Sequence, residues 1–179
     1  MPEIFVASDH RGFDQKQAIV AYLERQHLSV TDLGPAEYDP EDDYPMYARK
    51  VARAVKKANT AATSSGHAVG GTSPAQACGV LICGSAHGIA IQANRFPGIR
   101  AIAAYNEDLA AIGREHNDAN ILCLSADFNS LEENEKILLR FLAMPFSNEP
   151  RHIRRINQLD RPLEQPNLSD ASLILTEVL

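Results

Sequence analysis

Long apolar runs are missing from this chain of 179 residues. None approaches the ~18 consecutive apolar residues of a membrane span, so no membrane partner is expected. Cysteine is scarce and odd in number: Cys78, Cys83 and Cys123. The opening Met-Pro-Glu-Ile-Phe-Val reads directly as the start of a strand and has no secretory form. Together these features point to free thiols in a reducing cytoplasm. Positive charge is in deficit, with 17 Lys and Arg against 23 Asp and Glu and a net charge of -6, which argues against nucleic acid as a partner. Familiar phosphate signatures are absent as well. A dinucleotide loop needs G-x-G-x-x-G after the first strand, where this chain has Asp9-His10-Arg11-Gly12. The Gly-Lys-Ser/Thr of a P-loop does not occur. A thiol phosphatase of the Cys-x5-Arg type would need arginine six residues after Cys83, at the place of Ile89. The six histidines show no paired zinc-type spacing, so no metal is expected.

What is present is a globular composition, 45% hydrophobic, at the length of one ordinary domain. Apolar strand-like runs at 4–8, 29–33, 79–83, 100–104 and 120–125 alternate with helical patterns at 13–26, 44–57, 88–95, 107–115 and 131–142, and a last helix is expected at 150–159. Tyr47, Val51, Ala54 and Val55 have the spacing of one buried helical face. Such alternation predicts an α/β fold, a parallel sheet covered by helices on both faces and joined by right-handed crossovers. The expected strand order is 2-1-3-4-5. The domain spans 1–160, and its stretch 60–77, rich in Gly, Ser, Thr and Ala, is expected to be a mobile surface insertion. The C-terminal extension 161–179 ends in an apolar part, 173–179, suited to docking on a neighbouring subunit.

The most informative stretch is Gly79-Val-Leu-Ile-Cys83-Gly84-Ser85-Ala86-His87-Gly88-Ile89. It reads as a buried strand, a tight loop and a helix start. Cys83 therefore sits at the carboxyl end of a strand, before a loop of backbone N–H groups and a helix N-terminus. That is where α/β folds hold anions, and where a thiol pKa is expected to fall. Asp9 and His10 leave the first strand at the same edge. With strands 1 and 3 adjacent, Asp9, His10, Cys83 and Ser85 would line the crevice at the switch point. The plainer readings are that Asp9 only caps a helix and that Cys83 only packs, as Cys78 and Cys123 are expected to do. The run from Arg114 to Asn120 reads either as a solvated helix end or as functional. Arg151 and Arg155 share one helix face, either solvated or a phosphate clamp.

Taken together, these residues resemble the type B ribose-5-phosphate isomerases, a family shared with galactose-6-phosphate isomerase subunits. The matching pieces are Ser8-Asp9-His10-x-Gly12-Phe13, Asp43-Tyr44-Pro45, Ile82-Cys83-Gly84-Ser85, Ala93-Asn94-Arg95, Pro97-Gly98-Ile99-Arg100-Ala101, Arg114-Glu115-His116-Asn117-Asp118-Ala119-Asn120 and Arg151-His152-x-x-Arg155. Each is short, but they occur in family order across 4–159. The resemblance implies a Rossmann-like three-layer α/β/α sandwich with a five-stranded parallel sheet, assembled as a homodimer or tetramer. It implies cofactor-free interconversion of ribose 5-phosphate and ribulose 5-phosphate, a step of the pentose phosphate pathway. Cys83 matches the base, and Ser85 matches a hydroxyl beside it. Asp9 and His116 match groups linked to ring opening. His10, Arg151 and Arg155 match phosphate binders, Tyr44 and Asn117 line the sugar, and Gly84 to Gly88 frame the loop that would hold an enediolate.

Sequence order adds a geometric constraint. His116 precedes the fifth strand and so lies at the amino edge of the sheet. Arg151 and Arg155 follow the helix that returns there. These groups reach the Asp9–Cys83 pocket only from a neighbouring subunit, so the sites are expected to be shared. The chain also departs from the family pattern. Its loop reads Gly-Ser-Ala86-His87-Gly instead of Gly-Thr-Gly-x-Gly, and Asp127 stands where the family often has a phosphate-binding arginine. A carboxylate about 5 Å from a phosphate costs ~3 kcal/mol per unit charge at an effective dielectric near 20. Arg11, in place of a small residue, is expected either to pair with Asp127 or to replace the missing arginine; the plainer reading is that both are surface residues. The expected activity is aldose–ketose isomerisation of ribose 5-phosphate. The same chemistry on a tetrose or hexose phosphate and a non-catalytic sugar-phosphate-binding module are the alternatives.

Overall fold

The computed structural model describes residues 3–64 and 77–161. Among these residues five strands alternate with helices: β1 (Glu3–Ser8), α1 (Phe13–Arg25), β2 (Ser29–Asp32), α2 (Tyr44–Ser64), β3 (Cys78–Cys83), α3 (His87–Ala93), β4 (Ala101–Ala103), α4 (Glu107–Asn117), β5 (Ile121–Ser125), α5 (Leu131–Ala143) and α6 (Pro150–Leu159). A short 3-10 turn, His10–Gly12, joins β1 to α1. Every strand pairing is parallel, which makes the expected α/β sandwich.

The strand order is β2-β1-β3-β5-β4, which corrects the expected 2-1-3-4-5. The reason lies in burial. All five residues of β5 are buried, whereas β4 has three residues, and two of them are only half-buried. A fully apolar strand belongs at the centre of a parallel sheet and a short one at its edge. β1 and β3 remain neighbours, with Ala7 opposite Leu81 and Ser8 opposite Ile82. β1 runs on towards β2 and β3 runs on in the other direction, so the switch point falls between them, as expected.

Right-handed crossovers then dictate the layers. Crossovers that move one way along the sheet place α2 and α3 on one face, where Tyr47, Val51, Ala52, Val55 and Ile89 pack on Phe5, Leu81 and Ile121. Those that move the other way place α1 and α4 on the opposite face, where α5 joins them after the last strand and Ile19, Leu23, Ala110, Ile137 and Phe141 pack on Ile4, Val6, Ile82 and Leu122. Of the helical face foreseen from Tyr47, Val51, Ala54 and Val55, Tyr47, Val51 and Val55 are buried and Ala54 is half-buried. α2 runs on through Ser64, so the first part of the expected insertion is helix. Ala77 is buried at the start of β3. Residues 65–76 of that insertion, and all but the first residue of the 161–179 extension, lie outside the described residues. No helix among the described residues is long and apolar enough to cross a membrane.

Candidate active site

The site is built from what leaves β1, β3, β4 and β5 at their carboxyl ends. Asp9 is buried, and its Oδ1 accepts the N–H groups of Arg11 (3.0 Å) and Gly12 (3.2 Å). It therefore does cap the turn, as the plainer reading held. The turn hugs β3: a Cβ on Gly12 would lie 2.7 Å from the Ile82 carbonyl oxygen, so glycine is what lets Asp9 reach the Cys83 strand. Burial, opposed by the Gly12 N–H, holds the Asp9 carboxyl above its ordinary 3.8.

Cys83 is 4% exposed, and its Sγ accepts the Ala86 N–H at 3.2 Å. The N–H groups of Ile89, Ala86 and Ser85 all favour the thiolate, as the loop argument foresaw. The expected lowering of the thiol pKa is nevertheless not found in the single chain. Burial and the neighbouring Asp9 charge outweigh those N–H groups and push Cys83 above its ordinary 9.0. Cys78 and Cys123 are buried packing residues, with Cys78 pushed up to about 12 by burial.

The loop between Cys83 and α3 is clamped from three sides. Ala86 adopts φ 65°, the left-handed region that glycine occupies without strain. Tyr105, just after β4, donates its hydroxyl hydrogen to the Ser85 carbonyl at 2.6 Å, and His87 Nδ1 lies 2.9 Å from the same oxygen. The Tyr44 ring, at the start of α2, lies over Gly88, where an added Cβ would come within 2.7 Å of it. On the far side Arg11 pairs with Asp127 through two parallel bonds, Nε to Oδ1 at 3.2 Å and Nη2 to Oδ2 at 2.8 Å. This pair lies against Gly84, where a Cβ would sit 2.7 Å from the carboxylate. The first of the two alternatives for Arg11 therefore holds: it neutralises Asp127. His10 is held by Asp42, whose Oδ1 accepts both its backbone N–H (2.9 Å) and its ring Nδ1–H (2.8 Å).

His116, Asn117, Arg151 and Arg155 are elsewhere. α4 ends at the amino edge of β5. α6 docks beside it: the His116 and His152 rings are 4.4 Å apart, and Ser147 N–H donates to the Glu115 carbonyl at 3.0 Å. Arg151 and Arg155 are exposed on α6, with Arg151 Nε 2.7 Å from Glu149. The length of β5 alone, at ~3.3 Å per residue, puts about 17 Å between this cluster and the carboxyl edge. The 114–120 segment is solvated at Glu115, His116 and Asn117 and tied down by hydrogen bonds beyond them. Asp118 takes bonds from Arg100 (2.9 Å) and Arg114 (3.2 Å), and Asn120 accepts the Arg100 N–H at 2.9 Å.

The structure thus gathers Asp9, His10, Arg11, Tyr44, Cys83, Gly84, Ser85 and Gly88 at one edge and leaves His116, Asn117, Arg151 and Arg155 at the other. Two further residues beside the first group escaped the sequence reading. Tyr105 follows β4 at the same edge as Asp9 and Cys83, and that position was its signal. Asp42 sits in the acidic run Glu41-Asp42-Asp43, which looks like ordinary surface charge. A family model described as Ribose/Galactose Isomerase matches residues 4–159. The chain belongs to the ribose/galactose isomerase family. Within this family it is 40% identical over 156 residues to a probable ribose-5-phosphate isomerase B of Mycoplasma pneumoniae, covering 87% of this chain and 91% of that protein. It is 35% identical over 159 residues to ribose-5-phosphate isomerase B of Escherichia coli, covering 89% and 95%. Ribose-5-phosphate isomerase B from Mycoplasma genitalium, solved with bound ribulose 5-phosphate, superposes with a TM-score of 0.77 at 39% identity, covering 89% of this chain and 94% of that one. The proteins bearing that name are aldose–ketose isomerases. Members of the family thus share the sandwich, and the resemblance read from the short motifs is borne out at the level of the family.

Proposed function

We propose that this chain interconverts ribose 5-phosphate and ribulose 5-phosphate through an enediolate, with Cys83 as the base. What supports this reading is the approach of Cys83 to Asp9 under a loop of inward N–H groups. In the open-chain aldose the proton on C2 is weakly acidic because the C1 carbonyl takes up the electron pair. The Cys83 thiolate removes that proton and the pair moves onto O1; the hydroxyl proton on O2 passes to O1, and the thiol then returns its proton to C1 as O2 becomes the carbonyl. The N–H groups of Ser85, Ala86 and Ile89 favour negative charge at this spot, which suits an enediolate as well as a thiolate. His10 serves the phosphate end, and Tyr44 and Ser85 flank the sugar. Asp9 assists ring opening together with His116 of a second copy, which also brings Asn117, Arg151 and Arg155. The assembly is therefore a homodimer or tetramer with shared sites. No cofactor takes part, because the proton and the electron pair stay within the sugar.

Ala86 and His87 narrow the loop relative to the family pattern, which favours asking whether another aldose phosphate is the better substrate. The deciding assay is a panel of four- to six-carbon aldose phosphates scored for ketose formation. Ribose 5-phosphate is expected to give the highest kcat/KM. A better tetrose or hexose phosphate moves the substrate, and no turnover on any of them overturns the isomerase reading in favour of a binding module.

The Arg11–Asp127 pair makes its own prediction. Removing Arg11 leaves the Asp127 charge uncompensated beside Gly84. The unscreened cost to a nearby phosphate was about 3 kcal/mol, and half-exposed groups retain only part of it. Arg11→Ala is expected to raise KM by about fivefold and to weaken inhibition by inorganic phosphate in parallel, with Arg11→Ala/Asp127→Ala restoring most of both. Unchanged KM and unchanged phosphate inhibition in Arg11→Ala would remove Arg11 from the site.

A further inference from the structure

Asp42 is a buried carboxylate beside the site that the proposed chemistry leaves unused. Its side chain is 1% exposed, and a carboxylate is taken so far out of water only against a compensating partner. The partner is His10, 32 residues earlier in the chain, whose backbone N–H and ring Nδ1 converge on the single oxygen Oδ1 at 2.9 and 2.8 Å. That double grip fixes the backbone and the ring plane of His10 together. A carboxylate at Nδ1 also decides the tautomer: Nδ1 keeps its hydrogen, and the exchangeable proton is confined to Nε2. The Tyr38 ring meets the imidazole edge-on at 6.5 Å between centroids.

We infer that Asp42 is a positioning residue, which keeps His10 a cation with Nε2–H aimed at the phosphate of the sugar. This rests on the sugar-phosphate reading above. The charged and titratable groups around His10 are Asp42 from the loop before α2, Asp9 and Arg11 on its own turn, Tyr38, and Tyr47 from α2. Tyr47 is pushed up to about 12 by burial and by Asp42, so it stays a neutral phenol and does not compete for the role. The Asp42 hydrogen bond raises His10 above its ordinary 6.5, in the same direction as the Asp9 charge and against desolvation. Raised means that the imidazolium persists to higher pH than in an ordinary histidine, so that it overlaps more with the dianionic form of the sugar phosphate. Affinity is then lost only as the pH passes the raised value.

Asp42→Asn tests this, because Asn preserves a hydrogen-bond acceptor and the shape while removing the charge. In the window above the ordinary 6.5, where an unassisted histidine is neutral and His10 still carries its charge, KM for ribose 5-phosphate and the inhibition constant of inorganic phosphate are both expected to rise by up to about tenfold, the scale of losing one charge-assisted hydrogen bond. Well below the ordinary 6.5, where an imidazole is charged with or without Asp42, binding is expected to be equal or tighter, because a negative charge near the phosphate is gone. A purely structural role predicts the same loss at every pH, and that result overturns the inference. Should the variant fail to fold, imidazole nitrogen NMR of the unaltered protein decides. Hydrogen on Nδ1 and a titration above the ordinary histidine value support the dyad, and an Nε2–H neutral tautomer overturns it. Wild-type protein that neither turns over nor binds a sugar phosphate overturns the functional reading and this role with it. Wild-type turnover with a pH profile that Asp42→Asn leaves in place overturns this inference alone.

Discussion

Cys83→Ala is expected to lower kcat by at least ~10²-fold with little change in KM, the scale of losing a general base, while Cys78→Ala and Cys123→Ala leave turnover nearly intact. The contrast tests position, because all three sulfurs are buried. Only Cys83 sits at the switch point with backbone N–H groups directed at it. Alkylation by iodoacetamide should be slow, should accelerate with pH, and should be blocked by substrate. The direction of the pH dependence follows from the neighbours. Burial and the Asp9 charge both hold the thiol above 9.0, so the thiolate fraction, and with it kcat/KM, should still be climbing above neutral pH. Asp9→Asn removes the like charge while Asn keeps a cap for the turn. It should therefore shift the alkylation profile of Cys83 to lower pH, although it lowers turnover through its own role. Wild-type kcat in Cys83→Ala overturns the base assignment. An alkylation profile that Asp9→Asn leaves in place overturns the electrostatic coupling between the two.

The thiol also marks where reading residues in order stops being sufficient. A loop and a helix N-terminus can be read locally, and the N–H groups of 85, 86 and 89 do act as that reading implies. Desolvation by α2 and α3, and the Asp9 charge from another strand, belong to the packed molecule and reverse the outcome. Topology shows the same division. Strand–helix alternation was legible because apolar runs of strand length stand between helical periods, and the β1–β3 crevice follows from it. The exchange of β4 and β5 depends on which strand buries both faces. The signal was faint but present in Ile121-Leu-Cys-Leu124 against the short Ala101-Ile-Ala103. The pairing of Arg11 with Asp127 across 116 residues could be anticipated because an uncompensated carboxylate there would be costly. Asp42 carried no such warning, since one acidic residue among three offers no hint that it is the buried one.

Mixing two inactive variants should restore activity. Cys83→Ala removes the group at the carboxyl edge, and His116→Ala removes one at the amino edge, about 17 Å away along a five-residue strand. Each homo-oligomer then lacks one half of every site. Suppose each site joins the carboxyl edge of one subunit to the amino edge of its partner across a two-fold axis. A hybrid dimer then holds one doubly damaged site and one intact site. Random reassortment makes half of the dimers hybrid, so an equal mixture should recover about a quarter of wild-type activity. The imidazole of His116 lies half-buried against His152, so its loss leaves the α4–α6 contact short of one ring. The fold of each variant is therefore checked by its size and thermal unfolding before mixing. Sites complete within one chain predict no recovery at any ratio, because every chain in the mixture carries one lesion. Hybrids that demonstrably form and remain inactive would therefore remove the shared site, and with it the reason for His116, Arg151 and Arg155 to stand at the edge opposite Cys83.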